Sequence, residues 1–157
     1  MYKDRAFLVS ALLLLISAGC SPAERSETGE IETAGSVDAF TIRVGDCFDD
    51  QFTLGDEVTD VPGVPCTEPH DNEVYAKFDL QVSEWPGVDR ANELADEGCM
   101  DRFENAIGAN FDDSILMITT MIPTAGSWAE RGDREVVCIA YHMELDKLTG
   151  TVLNSGR

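Results

Sequence analysis

Two histidines and five cysteines carry most of the chemistry open to this 157-residue chain. His70 lies in Thr67-Glu68-Pro69-His70-Asp71-Asn72-Glu73, a polar stretch directly after Cys66. An imidazole among three carboxylates has the donors for a divalent metal or for general-base work. The plainer reading is that Pro69-His70 shapes a loop, with the ring bonded to local backbone or carboxylate. An interaction surface made of Pro69, His70 and Asp71 stands between the two. His142, near the end of an apolar run, reads as structural.

Four of the cysteines, Cys47, Cys66, Cys99 and Cys138, fall in the body of the chain, and an even number in an exported protein suits disulfides. Three pairings are open. Cys47–Cys66 with Cys99–Cys138 is preferred, because the first closes a compact loop and the second ties a helix to a late strand. No C-x₂–₄-C pair is present, so a zinc cluster has no support. Nor is there a G-x-S-x-G elbow, an EF-hand loop or a glycine-rich phosphate loop. Asp49-Asp50, Asp56-Glu57 and Asp112-Asp113 are adjacent acids in a chain with 30 of them. Neighbours on a strand point to opposite faces, so such pairs make no site by themselves; weak calcium binding by a turn is the most they support. No catalytic residue, metal or cofactor is expected. Trp85 and Trp128 each flank a turn and read as lids over the core or, second, as anchors for a partner.

The elements that must position these residues begin with an export signal. Lys3 and Arg5 precede the 11-residue apolar stretch Ala6–Ile16, too short to span a bilayer core that takes about 20 residues. Ser17-Ala18-Gly19-Cys20 resembles a bacterial lipobox, which implies cleavage before Cys20 and lipidation of its thiol. Ser17 departs from the usual aliphatic residue, and simple secretion after cleavage near Ala18 is the alternative. Residues 1–19 are thus read as signal peptide and 20–36 as lipidated cysteine plus flexible tether, of roughly 20–25 Å reach. Residues 37–157 are read as one folded domain. Without the signal, nine basic residues face 29 acidic ones, a net charge of −20. Such a chain is not expected to bind nucleic acid, whose affinity comes from Lys and Arg displacing counterions. Membrane association must come through the lipid anchor.

Within the domain, Phe40–Val44 alternates and reads as a strand. Val58–Cys66 holds Pro62 and Pro65, which limit it to short or edge strand. Val74–Val82 is the clearest strand, with Val74, Ala76, Phe78, Leu80 and Val82 on one face. A helix is expected over Val88–Ile107, with Val88, Ala91, Ala95, Cys99, Phe103 and Ile107 as its apolar stripe and Gly108 as its stop. Ile115–Ile122 tilts to strand, Ser127–Asp133 to a turn or one helical turn, and Glu135–Met143 to strand. Leu145–Arg157 reads as a fraying tail. The class is α+β, a small antiparallel or mixed sheet packed against one long helix, with two disulfides.

Several of these segments together resemble the septum formation domain of actinobacterial envelope proteins. They are Gly45-Asp46-Cys47-Phe48; Val64-Pro65-Cys66 through His70 to Val74-Tyr75; Trp85-Pro86-Gly87; Cys99 with Phe103; Pro123-Thr124 with Ser127-Trp128; and Gly132-Asp133-Arg134-Glu135-Val136-Val137-Cys138. C-x₂-P-H-x₂-E-V-Y is the most specific piece, and the resemblance covers roughly residues 44–142. It implies an exported, membrane-tethered protein whose four cysteines and Pro-His loop fall at the positions above, and it brings no active site.

Two functional classes follow. The first is a non-catalytic binding or scaffolding module at the outer face of the cell membrane. Its partner would be an envelope protein or a cell-wall component. The second is a metal-dependent or hydrolytic enzyme acting on envelope material, with His70 in its site.

Overall fold

The computed structural model of the protein describes residues 21–51 and 57–157. The export signal and Cys20 lie outside the described residues. No helix among them is long and apolar enough to cross a membrane.

The strands are β1 (Glu24–Arg25), β2 (Ile31–Thr33), β3 (Gly35–Asp38), β4 (Cys47–Phe48), β5 (Asp60–Val64), β6 (Asn72–Asp79), β7 (Leu116–Met121) and β8 (Glu135–His142). Two helices, α1 (Val88–Ile107) and α2 (Ala125–Arg131), separate the last three strands. β1 and β2 form a small antiparallel pair. The main sheet has the order β3-β5-β4-β6-β8-β7, and its ladders are antiparallel. The fold is α+β with two disulfides, Cys47–Cys66 and Cys99–Cys138.

Helix α1 spans Val88–Ile107, and Gly108 ends it in the left-handed conformation with its N–H on the Glu104 carbonyl. Ala91, Ala95, Cys99, Phe103 and Ile107, each four residues from the next, are buried against the sheet. Val88, expected on the stripe, is 58% exposed in the first turn. Gly98 lets the ring of Phe78 lie on the helix: a Cβ there would come 2.2 Å from Phe78 Cζ. Helix α2 exceeds the single turn expected, because Thr124 and Ser127 form a reciprocal capping box at its start.

The sheet separates two cores. Tyr75, Ala91, Ala95, Cys99, Phe103, Leu116 and Val136 belong to the core under α1. Ile31, Val37, Ile42, Phe48, Val61, Val74, Val137 and Ile139 form the second. A β-bulge assigns β6 between them. Val74 pairs with Ile139 and Ala76 with Cys138, leaving Tyr75 as the extra residue. The expected face of Val74, Ala76 and Phe78 is therefore broken. Val74 enters the second core, while Tyr75 turns into the first and donates its hydroxyl to the Cys99 carbonyl at 2.8 Å.

Three expectations need correction. Residues 21–36, read as a flexible tether, carry β1, β2 and the start of β3. Ile31 is buried, and Arg25 forms a two-bonded ion pair with buried Asp46. Phe40–Val44 is a succession of turns rather than a strand. The Asp38 and Asp46 carboxylates accept from the Phe40 and Arg43 N–H groups and displace a ladder, so only Ile42 of the alternating set is buried. β5 is the short strand that Pro62 and Pro65 imply, five residues long, but it lies inside the sheet rather than at its edge. The Pro62 carbonyl faces β4, accepting from Asp49 N, so its missing N–H falls where β4 has already ended. The C-terminal tail does not fray. Leu148 and Val152 are buried, and Asn154 and Gly156 donate to the last carbonyls of α1.

Candidate functional site

The motif around His70 folds into a loop clamped by the C-terminal tail. His70 exchanges both backbone bonds with Leu148, at 3.0 and 2.8 Å, and Gly150 N donates to the Cys66 carbonyl at 2.7 Å. The His70 side chain is fully buried. Its Nδ1 bonds to the Glu68 carbonyl at 2.8 Å, so Nδ1 carries a proton and donates it to that carbonyl. Its Nε2 is sealed from solvent and has no hydrogen-bond partner among the described residues.

Three residues on, Glu73 is also buried, where β6 passes β4 and β8. Its carboxylate accepts from Thr151 Oγ1 at 2.5 Å and from Val152 N at 2.6 Å. Burial pushes the Glu73 carboxyl above its usual range. The bonds from Thr151 and Val152 and the charges of His70 and Arg157 offset this only in part. Asp71 shows the opposite outcome. Partial burial works to raise its carboxyl, but the Lys147 ammonium and the Asp50 N–H hold it below its usual value. Lys147 Nζ lies 2.7 Å from Asp49 and 2.8 Å from Asp71, joining the tail to two loops.

Glu73 also approaches the first disulfide. A carboxylate oxygen of Glu73 and the Sγ atoms of Cys47 and Cys66 lie within 4.8 Å of one another. This is the one grouping of potential metal donors among the described residues, but both sulfurs are bound to each other and are not thiolate ligands. Neither histidine belongs to it. His142 closes β8 and uses Nδ1 to accept from Glu144 N at 3.2 Å.

The residues expected at a surface fare differently. Pro69 is exposed at the tip of the loop, His70 is interior, and Asp71 is held by Lys147. Trp128 is a core residue of α2 and Trp85 is half-buried over it, the rings meeting edge-on at 5.5 Å. The Arg134 guanidinium lies 3.4 Å from the Trp128 ring centre and caps the stack. The tryptophans are thus the lid of the main core, leaving no open pair of anchors. Asp133 serves the same corner, accepting from Ser127 Oγ and from Glu135 N.

Glu73 entered the sequence reading only as one of the carboxylates near His70, and Lys147 and Thr151 were not singled out. The signal for Glu73 was present, as an acid inside the apolar opening of the best strand. Lys147 and Thr151 gave none, since their partners lie 76 or more residues away in the chain.

Neither a curated protein nor a solved structure matches the chain. The septum formation family matches residues 28–154, from inside the segment read as a tether almost to the end of the tail. That span takes in both disulfides, the His70 loop and the strands on either side of them. The chain belongs to the septum formation family.

Proposed function

We propose that the protein is a non-catalytic binding module of the cell envelope, which takes up an extended, uncharged segment of an envelope protein along the free edge of β7. The observation that carries this reading is the character of that edge. β7 is the last strand of the sheet, and its six residues hold no charge, no proline and no bulge, the usual protections of an edge. Ser114–Ala129 is a run of 16 residues without a charge, in a chain of net charge −19. Met143 N donates to the Ile115 carbonyl, so odd-numbered residues of β7 face β8. The N–H and C=O groups of Ile118 and Thr120 then face outward. Ile115, Met117 and Met143 lie beside them, 45%, 37% and 53% exposed. A second copy is the poorer occupant, because it brings its own large negative charge to the contact. Export and a lipid on Cys20 would hold such a module at the outer face of the membrane, with septum assembly as the setting its family name suggests.

The competing reading, a metal-dependent or hydrolytic enzyme, requires a reachable imidazole nitrogen at position 70. His70 offers one nitrogen already bonded and another enclosed. A photo-crosslinking residue at position 117, compared with one at exposed position 88 on α1, tests the binding reading in cells. Envelope proteins captured from 117 and not from 88, and lost in Thr119→Lys, are expected. Equal capture from both positions would remove β7 as the binding edge. A dimer in light scattering that Thr119→Lys dissociates would replace the partner segment with a second copy.

A further inference from the structure

The two disulfides sit in different chemical settings. Cys99–Cys138 joins α1 to β8 with both residues fully buried in the main core. Cys47–Cys66 joins buried Cys47 of β4 to Cys66, which is half-buried on the loop that follows β5. One sulfur of this pair is therefore sheltered, while the other belongs to a residue with access to solvent. Beside both lies the Glu73 carboxylate, the interior acid held by Thr151 and Val152. Glu73 thus fastens the tail and at the same time stands within reach of both sulfurs, a carboxylate buried against an unfavourable desolvation.

We propose that Cys47–Cys66 is an exchangeable dithiol–disulfide couple, with Glu73 as the proton donor and acceptor for Cys47 and an extracytoplasmic protein dithiol as co-reactant. In the reducing direction a thiolate of the co-reactant attacks Cys66 Sγ. The Cys47–Cys66 bond breaks and a mixed disulfide to Cys66 forms. Cys47 leaves as a thiolate and takes a proton from the Glu73 carboxyl, directly or through one water across the gap of up to 4.8 Å. The second thiolate of the co-reactant then attacks its own sulfur in the mixed disulfide, releasing Cys66 as a thiolate that is protonated from solvent. The Glu73 carboxylate regains its proton from solvent, which has received the two protons released as the co-reactant thiols ionise; in sum two electrons and two protons pass to the protein, and the co-reactant becomes a disulfide. In the oxidising direction the Glu73 carboxylate removes the Cys47 proton, which a thiol enclosed in apolar surroundings does not readily lose. His70 and Arg157 are the other charged or titratable groups whose fields act on Glu73, with the Thr151 hydroxyl bonded to it. Burial raises the Glu73 carboxyl above its usual range, which makes the carboxylate a stronger base toward the Cys47 proton.

The test uses the full oxidised chain in dithiothreitol and glutathione buffers of graded poise, with free thiols mass-tagged and assigned by peptide mapping. Cys47–Cys66 is expected to open at a less reducing poise than Cys99–Cys138, while far-ultraviolet circular dichroism stays native. Re-oxidation of the Cys47, Cys66 dithiol by oxidised glutathione should show an inflection with pH below that of a free thiol. Glu73→Gln should slow it about 100-fold and remove the inflection, the lower end of the scale of a lost general base. Thr151→Val, which removes one bond to the ionised carboxylate, should move the inflection upward and serves if Glu73→Gln fails to fold. Opening of both disulfides together, only on unfolding, would overturn the proposal. So would a pH profile that is the same in wild type and in a folded variant.

Discussion

Val152 donates its backbone N–H to Glu73 Oε2 at 2.6 Å, joining residues 79 apart in the chain, both of them fully buried. The bond fastens the C-terminal tail to the strand that begins at the His70 loop. It also means that the polar motif around His70, exposed from Thr67 to Pro69, ends in an interior joint at Glu73.

That joint gives stability an unusual dependence on pH. The Glu73 carboxyl is raised in the folded state, so the native protein holds more protons than the unfolded chain between the ordinary carboxyl value and the raised one. Its contribution is fully present below the ordinary value and is lost as pH rises through the folded value. Asp71 is lowered, so its contribution is present above the ordinary value and is lost as pH falls through the folded one. Urea unfolding across pH should show a decline as pH rises from the ordinary carboxyl value through the raised Glu73 value, and this decline should disappear in Glu73→Gln. Persistence of the same decline in the variant would assign it to other groups.

Glu73→Ala, which leaves the Val152 N–H without its partner, should cost about 1–3 kcal/mol. Hydrogen exchange at Val152 should rise with it, along with Leu148, whose N–H bonds the His70 carbonyl. Unchanged exchange at Leu148 would show that the clamp holds without Glu73.

Alanine in place of glycine inside a helix normally stabilises by up to about 1 kcal/mol. Gly98→Ala should do the reverse, by about 1–3 kcal/mol, because the new methyl meets the Phe78 ring. The double variant Gly98→Ala with Phe78→Leu should recover part of the loss in thermal denaturation. A more stable single variant would show that the ring has room to move.

Trp128→Ala empties a core position below Trp85 and Arg134, and should cost about 3–5 kcal/mol. Partner recovery, normalised to the folded fraction, should not change. A folded variant that has lost its partner would restore Trp128 as a contact residue.

A flexible tether can be removed without harm, but a folded segment cannot. A chain beginning at residue 37 should be less stable than one beginning at residue 21, and Arg25→Ala should reproduce much of the difference by leaving Asp46 buried without its cation. Denaturant midpoints compare all three. Equal midpoints for the two chain starts would return residues 21–36 to the status of a tether.

Removing Cys99–Cys138 with a double alanine variant should cost about 4 kcal/mol from the loop it closes, before any cavity is counted. The Cys47–Cys66 loop is shorter and is worth about 3 kcal/mol. Differential scanning calorimetry of the two double variants should rank them in that order.

The sequence by itself determined what local rules govern. Four-residue spacing from Ala91 to Ile107 placed α1 and its buried face, and Gly108 stopped it, because a helix repeats over a few residues and needs only its own neighbours. The order of elements from β6 to β8 and the α+β class were legible in the same way, while the preferred disulfide pairs came from the loops they would close. Only the tertiary structure decided which face of β6 is buried. A single bulge at Tyr75 reverses the alternation, and nothing local announces it. The same holds for residues 21–36, polar in composition yet held by Arg25–Asp46 and by Ile31 packed on a distant sheet. It holds also for His70, whose burial depends on a tail 78 residues further on. In each case the deciding partner is remote in sequence, and its contact becomes real only once the sheet has brought the two together.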